Sequence, residues 1–200
     1  MKISVILAHP DPSNFNHKIA TTTVDILKKN GHEVFFHDLY QENFDPLLPS
    51  GEIPKDVLLP TEIERHCKEA SEADGFVIIH PNWWGTPPAI LTGWVDRIMR
   101  PGIAYEFLET DGGEGIPIGL LKAQKAIVFN TSNTETEREK RAFLDPLETI
   151  WKNCIFDLCG VRDFHRKMFN IIVTSTKEQR ENWLAEVRET VSTSFGNTER

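Results

Sequence analysis

Apolar positions along the chain follow two alternating rhythms. Short unbroken runs such as Ile3-Ser4-Val5-Ile6-Leu7-Ala8 and Phe76-Val77-Ile78-Ile79 alternate with longer stretches where apolar residues return every three or four positions. The first pattern reads as a strand buried on both faces, the second as one side of a helix. Strands are therefore expected at residues 3–8, 33–39, 75–80, 125–130 and within 162–173. Helices are expected at residues 16–30, 61–71, 89–100, 143–159 and 177–193. Gly31 ends the first helix, Pro88 stands at the start of the third, and Gly160 closes the long fourth one. Alternating strands and helices with no hairpin signal predict an α/β fold: a doubly wound five-stranded parallel sheet with helices on both faces. The 200 residues are read as one domain, 1–200. In such a sheet a ligand binds beyond the carboxyl ends of the strands, so the loops after the first, third and fourth strands are where function is sought.

Composition narrows the classes. Forty per cent apolar residues is enough for a core, and the net charge of −8 argues against nucleic acid and against an anionic membrane surface. It does not disfavour a small phosphate-bearing ligand, which a few backbone amides can hold. Cys67, Cys154 and Cys159 are too few and irregular for a disulfide framework, and Cys154 and Cys159 read as buried free thiols. A reducing, cytoplasmic setting follows from that usage. The first apolar run is too short for a signal peptide or a membrane span. His66 reads as surface, and His32 and His37 as solvated edges of the second strand. No histidine pair has helical spacing with a carboxylate partner, so no metal site is expected. Asp145 and Glu148 read as complements to a helix dipole, His165-Arg166-Lys167 as an exposed turn, and Glu135, Glu137 and Glu139 as a solvated helix start. Residues 195–200 read as a frayed tail.

The three strand-end loops carry the unusual residues. After the first strand, His9-Pro10-Asp11-Pro12-Ser13-Asn14-Phe15-Asn16 places hydroxyl and amide side chains at a helix start, where free N–H groups suit a phosphate. Plain capping accounts for Ser13 and Asn14 equally well. The loop lacks both the G-x-G-x-x-G and the G-x-x-x-x-G-K-S/T patterns. After the third strand, Pro81-Asn82-Trp83-Trp84-Gly85 sets two tryptophans between proline and glycine. That arrangement is hard to explain as core and suited to a planar ring, with Trp84 the better candidate. After the fourth strand, Thr131-Ser132-Asn133-Thr134 offers small hydrogen-bonding groups, a polar turn if taken alone. Three such loops at one sheet edge point to one ligand.

At these loops the chain resembles the NAD(P)H:quinone oxidoreductase family, the flavodoxin-like group that includes DT-diaphorase. The likeness runs from Ile3 to about Val161. It is carried by Ala8-His9-Pro10 with Phe15-Asn16, by the stretch P-N-W-W-G-T-P-P-A-I-L-T-G-W-V-D-R over residues 81–97, and by Gly102-Ile103-Ala104-Tyr105. The resemblance implies a flavodoxin-like sheet of order 2-1-3-4-5 and a bound flavin, FAD or FMN. It implies NAD(P)H as electron donor and two-electron, ping-pong hydride transfer to a quinone-like acceptor. By position, His9, Ser13, Phe15 and Asn16 (with Asn14 beside them) hold the flavin phosphate. Pro81, Asn82, Trp83, Trp84 and Gly85 line the isoalloxazine, and Thr131, Ser132, Asn133 and Thr134 meet its polar edge. Tyr105 and Phe107 face the active site of a partner subunit, which implies a homodimer with shared sites. Two departures stand out. Asn133 and Thr134 occupy positions that are Gly-rich in the DT-diaphorase branch, and residues 135–141 contain no Tyr or His for that branch's proton relay. A flavodoxin-type electron carrier and a flavin-binding regulatory subunit remain as rival readings.

Overall fold

The structure, a computed structural model, describes residues 1–108 and 115–196. The first half of the chain forms β1 (Lys2–Leu7), α1 (Phe15–Lys29), β2 (Glu33–Asp38), α2 (Thr61–Glu72), β3 (Gly75–Pro81) and α3 (Ala89–Ile98). The second half forms β4 (Tyr105–Phe107), β5 (Pro117–Gly119), β6 (Lys125–Ser132), α4 (Thr136–Phe143), α5 (Pro146–Glu148), β7 (Asp163–Asn170) and α6 (Lys177–Phe195). A π-helical stretch, Thr149–Phe156, continues α5.

Five strands pair in parallel in the order β2-β1-β3-β6-β7. Successive side chains of a strand face opposite sides, so the unbroken apolar runs of β1, β3 and β6 feed two cores at once. Ile6, Phe76, Ile78 and Val128 join Trp94, Trp151 and Phe156 on the side of α2 and α3. Val5, Val77, Ile79 and Phe129 join Leu27, Phe169 and Val191 on the side of α1 and α6. The order reverses between β1 and β3, the switch point, and the loops after β1, β3 and β6 emerge there.

Several expectations are corrected. Counted with every strand, the order reads 2-1-3-6-7 rather than 2-1-3-4-5, because β4 and β5 intervene as a separate antiparallel ribbon. With three residues per strand that ribbon is too short for a period-two signal. It lies close over the turn at residues 159–160: a Cβ on Gly119 would stand 2.3 Å from the Cys159 carbonyl carbon, so only glycine fits. The expected helix 143–159 begins later, since Phe143 ends α4 and the left-handed Leu144 and Asp145 (φ 60° and 48°) turn the chain before Pro146 opens α5.

His32, His37 and His66 are buried rather than solvated. Trp94 Nε1 donates to Nδ1 of His66 at 3.1 Å, which leaves the neutral ring's proton on Nε2, 3.5 Å from Glu42. His37 lies between Glu42 (2.9 Å) and Glu69 (2.5 Å). Burial works against a charge on His37, but the two carboxylates outweigh it and raise its pKa. His37, Glu42 and His66 bring their ligand-type atoms within 4.8 Å of one another, a grouping the spacing along the chain did not reveal.

Arg166 lies inside β7 with its guanidinium bound to Asp145, Glu148 and Asn130, so it is neither in a turn nor exposed, and the two acids serve it rather than a dipole. Cys154 is exposed, while Cys67 and Cys159 are buried. Phe195 is buried at the end of α6, so the tail does not begin there; residues 197–200 lie outside the described residues. No helix among the described residues is long and apolar enough to cross a membrane.

Candidate functional site

A cavity of about 420 Å³ opens at the carboxyl ends of β3 and β6. Asn82, Trp84, Gly85, Ser132, Asn133 and Thr134 line it, six residues singled out by their position in the two strand-end loops. The tryptophan loop is a tight turn: Trp83 and Thr86 exchange backbone hydrogen bonds of 3.2 and 3.0 Å. Both central residues are left-handed, Trp84 at φ 59° and Gly85 at φ 75°. Such turns favour Asn-Gly, and a bulky residue there costs roughly 1–3 kcal/mol. The Trp84 side chain recovers nothing from the fold, since it is 101% exposed. Asn82 braces the turn from behind, its Oδ1 accepting from Gly85 N at 3.0 Å. A strained backbone therefore holds a fully exposed indole at the lip of a cavity rich in amide and hydroxyl groups. An exposed indole face beside hydroxyl and amide groups is chemistry that suits a planar ring with a polar edge.

The loop after β1 is more self-contained than its composition implied. Asn14 caps α1, its Oδ1 accepting from Asn16 N at 3.0 Å and from Asn16 Nδ2 at 2.8 Å. Asn16 is wholly buried and donates across to Thr131 Oγ1 at 3.0 Å, which ties the loop to the end of β6. Phe15 is core, in edge contact with Phe169 and tilted against Trp183. Ser13 turns its N–H and hydroxyl onto Asp11 Oδ1 at 2.9 and 2.7 Å. Burial pushes the His9 pKa down, so the ring favours its neutral form, and its Nδ1 accepts from Asp11 N at 3.1 Å. The ring centroids of His9 and Trp83 lie 5.9 Å apart, which brings the first loop against the second.

The structure thus brings all three loops together but gives their residues different parts. Asn82, Trp84, Gly85 and Ser132 to Thr134 face the cavity. Phe15, Asn16, Pro81 and Thr131 are buried and hold the loops in place. Trp83 is half-exposed beside His9. Tyr105 and Phe107 stand on β4, with ring centroids 5.5 Å apart, and are not among the side chains lining the cavity. Three lining residues were missed: Glu139, Phe143 and Pro146. Glu139 and Phe143 are four apart and share one face of α4, a signal masked by the charged residues around them. Glu139 is buried, not solvated, and accepts from Asn82 Nδ2 at 3.0 Å.

The pattern defining the flavodoxin-like fold family matches residues 1–192. The chain belongs to that family. It is 33% identical over 172 residues to an uncharacterised NAD(P)H oxidoreductase of Haemophilus influenzae, covering 84% of this chain and 83% of the relative. It is 26% identical over 214 residues to the mouse (Mus musculus) ribosyldihydronicotinamide dehydrogenase (quinone), covering 92% and 87%. An NAD(P)H:quinone oxidoreductase from Methanothermobacter marburgensis superposes with a TM-score of 0.82 at 23% identity, covering 100% of this chain and 99% of that one, a likeness of fold.

Proposed function

We propose that this flavodoxin-like protein is a flavin-dependent NAD(P)H oxidoreductase that passes two electrons to a quinone-like acceptor. The observation that carries this reading is the strained, fully exposed Trp84 at the lip of a polar cavity at the switch point of the sheet. The names borne by the similar proteins agree with it. In this reading Trp84 and Phe143 offer faces to the isoalloxazine, and Asn82, Gly85, Ser132, Asn133 and Thr134 bond its polar edge. His9 and Ser13 meet the phosphate, Ser13 giving up its bonds to Asp11 to do so. The bound flavin supplies hydride acceptance and donation, while the protein supplies orientation and a slot that excludes water. FMN needs the first cavity and the loop after β1. FAD needs room for an adenosine as well, and a second cavity of about 400 Å³ is lined by Phe15 and Lys18 of α1 and Lys177 and Arg180 of α6.

The β4–β5 ribbon and its flanks expose Phe107, Leu108, Ile116, Ile118 and Leu120. The register puts Tyr105 and Phe107 on one side of the ribbon and Ile116 and Ile118 on the other; we assign the side bearing Tyr105 and Phe107 to a second copy of the chain, which brings them to the partner's cavity. Purified protein is expected to be yellow, and chromatography of the released flavin separates FMN from FAD. Anaerobic mixing with NADPH is expected to bleach the flavin in one rapid two-electron phase. Slow or one-electron reduction would instead mark a flavodoxin-type carrier.

A further inference from the structure

Glu139 is the one ionisable side chain among those lining the cavity. The residue is 2% exposed, and none of the ion pairs among the described residues includes it. Its hydrogen-bond partner is a neutral amide, Asn82 Nδ2, at 3.0 Å. The orientation of that amide is set from its other end, because Asn82 Oδ1 accepts the Gly85 N–H at 3.0 Å. The N–H of Asn82 therefore occupies Oε1 of Glu139 and leaves Oε2 without a hydrogen bond among the described residues. A carboxyl group taken out of water with no cation beside it costs stability, and a glutamine would satisfy Asn82 equally well.

We propose that Glu139 is the proton donor to the acceptor molecule, a catalytic carboxyl group that rests on the oxidoreductase reading above. Converting a quinone to its hydroquinone consumes one hydride and one proton. The hydride derives from NAD(P)H, the reductant of that activity. The proton leaves Glu139 Oε2: its O–H bond breaks, the electron pair stays on the carboxylate, and a new O–H bond forms on the acceptor oxygen. The Asn82 N–H then holds the carboxylate through a charge-assisted hydrogen bond until water at the cavity mouth returns a proton.

Glu139→Gln tests this, because it keeps an oxygen for Asn82 and carries no transferable proton. Two acceptors are compared: a soluble benzoquinone, which needs a proton, and ferricyanide, which takes single electrons and needs none. Loss of a general acid slows proton-coupled steps by roughly 100-fold or more, so quinone turnover should fall by that order while ferricyanide turnover stays at the wild-type rate. The pH profile of quinone reduction should lose an ionisation that the wild type shows. Flavin affinity of the stripped protein, followed by fluorescence titration, should be unchanged. Equal quinone rates and equal pH profiles in variant and wild type overturn the proposal. So does an equal loss with both acceptors, or a loss of flavin affinity, since either makes Glu139 a structural brace. If Glu139→Gln does not fold, Glu139→Asp decides by the same comparison, with a selective deficit on quinone in support and none against. A wild type that binds no flavin and reduces neither acceptor removes the oxidoreductase reading itself, a result distinct from failure of the proton-donor role alone.

Discussion

Trp84 accepts a left-handed backbone and full exposure, two costs that the folded chain does not offset. Trp84→Ala should therefore leave the urea midpoint of the stripped protein essentially where it was. Aromatic contacts contribute about 0.5–1.5 kcal/mol beyond area burial, so flavin retention should weaken by roughly tenfold. Unchanged flavin affinity in a fluorescence titration would return the loop to a purely structural role. His80 makes a second case at this scale. It is wholly buried, with Nδ1 at 2.8 Å from the Pro81 carbonyl and Nε2 accepting from Trp151 Nε1 at 2.9 Å. Burial lowers its pKa from 6.5 to about 4, so the ring is neutral in the fold and takes up a proton on unfolding below 6.5. Its contribution is complete above that value and drains away as pH falls toward 4, a total of about 3 kcal/mol. His37 has the opposite sign: its raised pKa gives stability at low pH that is lost as pH rises through the folded value. Urea midpoints should decline from pH 6.5 to 4.5, and His80→Gln should flatten that slope.

At the scale of elements, the cavity depends on how α4 meets α5. The two left-handed residues Leu144 and Asp145 reverse the chain, and Arg166 of β7 clamps the result through Asp145, Glu148 (2.9 Å) and Asn130 (2.9 Å). Pro146 is then pressed against the tryptophan turn: a Cβ on Gly85 would lie 2.8 Å from Pro146 Cγ. Arg166→Ala strips a buried carboxylate of its cation. Glu148 is partly open to water, so the cost is about 3 kcal/mol, the lower end of the range for broken buried pairs. A lower urea midpoint with an unchanged m-value is the expected signature, and an unchanged midpoint would deny the clamp. None of this junction was legible from periodicity. The apolar residues after Phe143 continue a helical rhythm, and nothing local signals that an arginine some twenty positions on takes up Asp145. The β4–β5 ribbon escaped for the opposite reason, since its strands are too short to show any rhythm.

For the whole molecule, the open question is how the exposed ribbon is covered. Phe107 is 46% exposed on the side of the ribbon that carries Tyr105, and Ile116 is 66% exposed on the side that carries Ile118, apolar exposure of the kind that marks an interface. Sedimentation velocity should find a dimer, and Phe107→Asp should shift it toward monomer with loss of quinone turnover. A monomeric wild type with full activity would show that the cavity works without a second copy. The sheet order sets where such a dimer must present its residues, because the switch point places the cavity at the ends of β3 and β6.

The five strands of the parallel sheet and the three loops at one edge were determined by the sequence alone. Each is a short-range property: an unbroken apolar run demands burial on both faces, and a loop inherits its place from the strand before it. Asn82, Trp84, Gly85 and Ser132 to Thr134 were found in that way. Only the tertiary structure decided the fate of the polar residues. Glu139, Arg166, His37 and His66 all looked solvated along the chain, because burial of a polar group depends on partners that other elements supply. The same rule separates Trp84, left open at the cavity lip, from Asn16, which Thr131 draws into the interior.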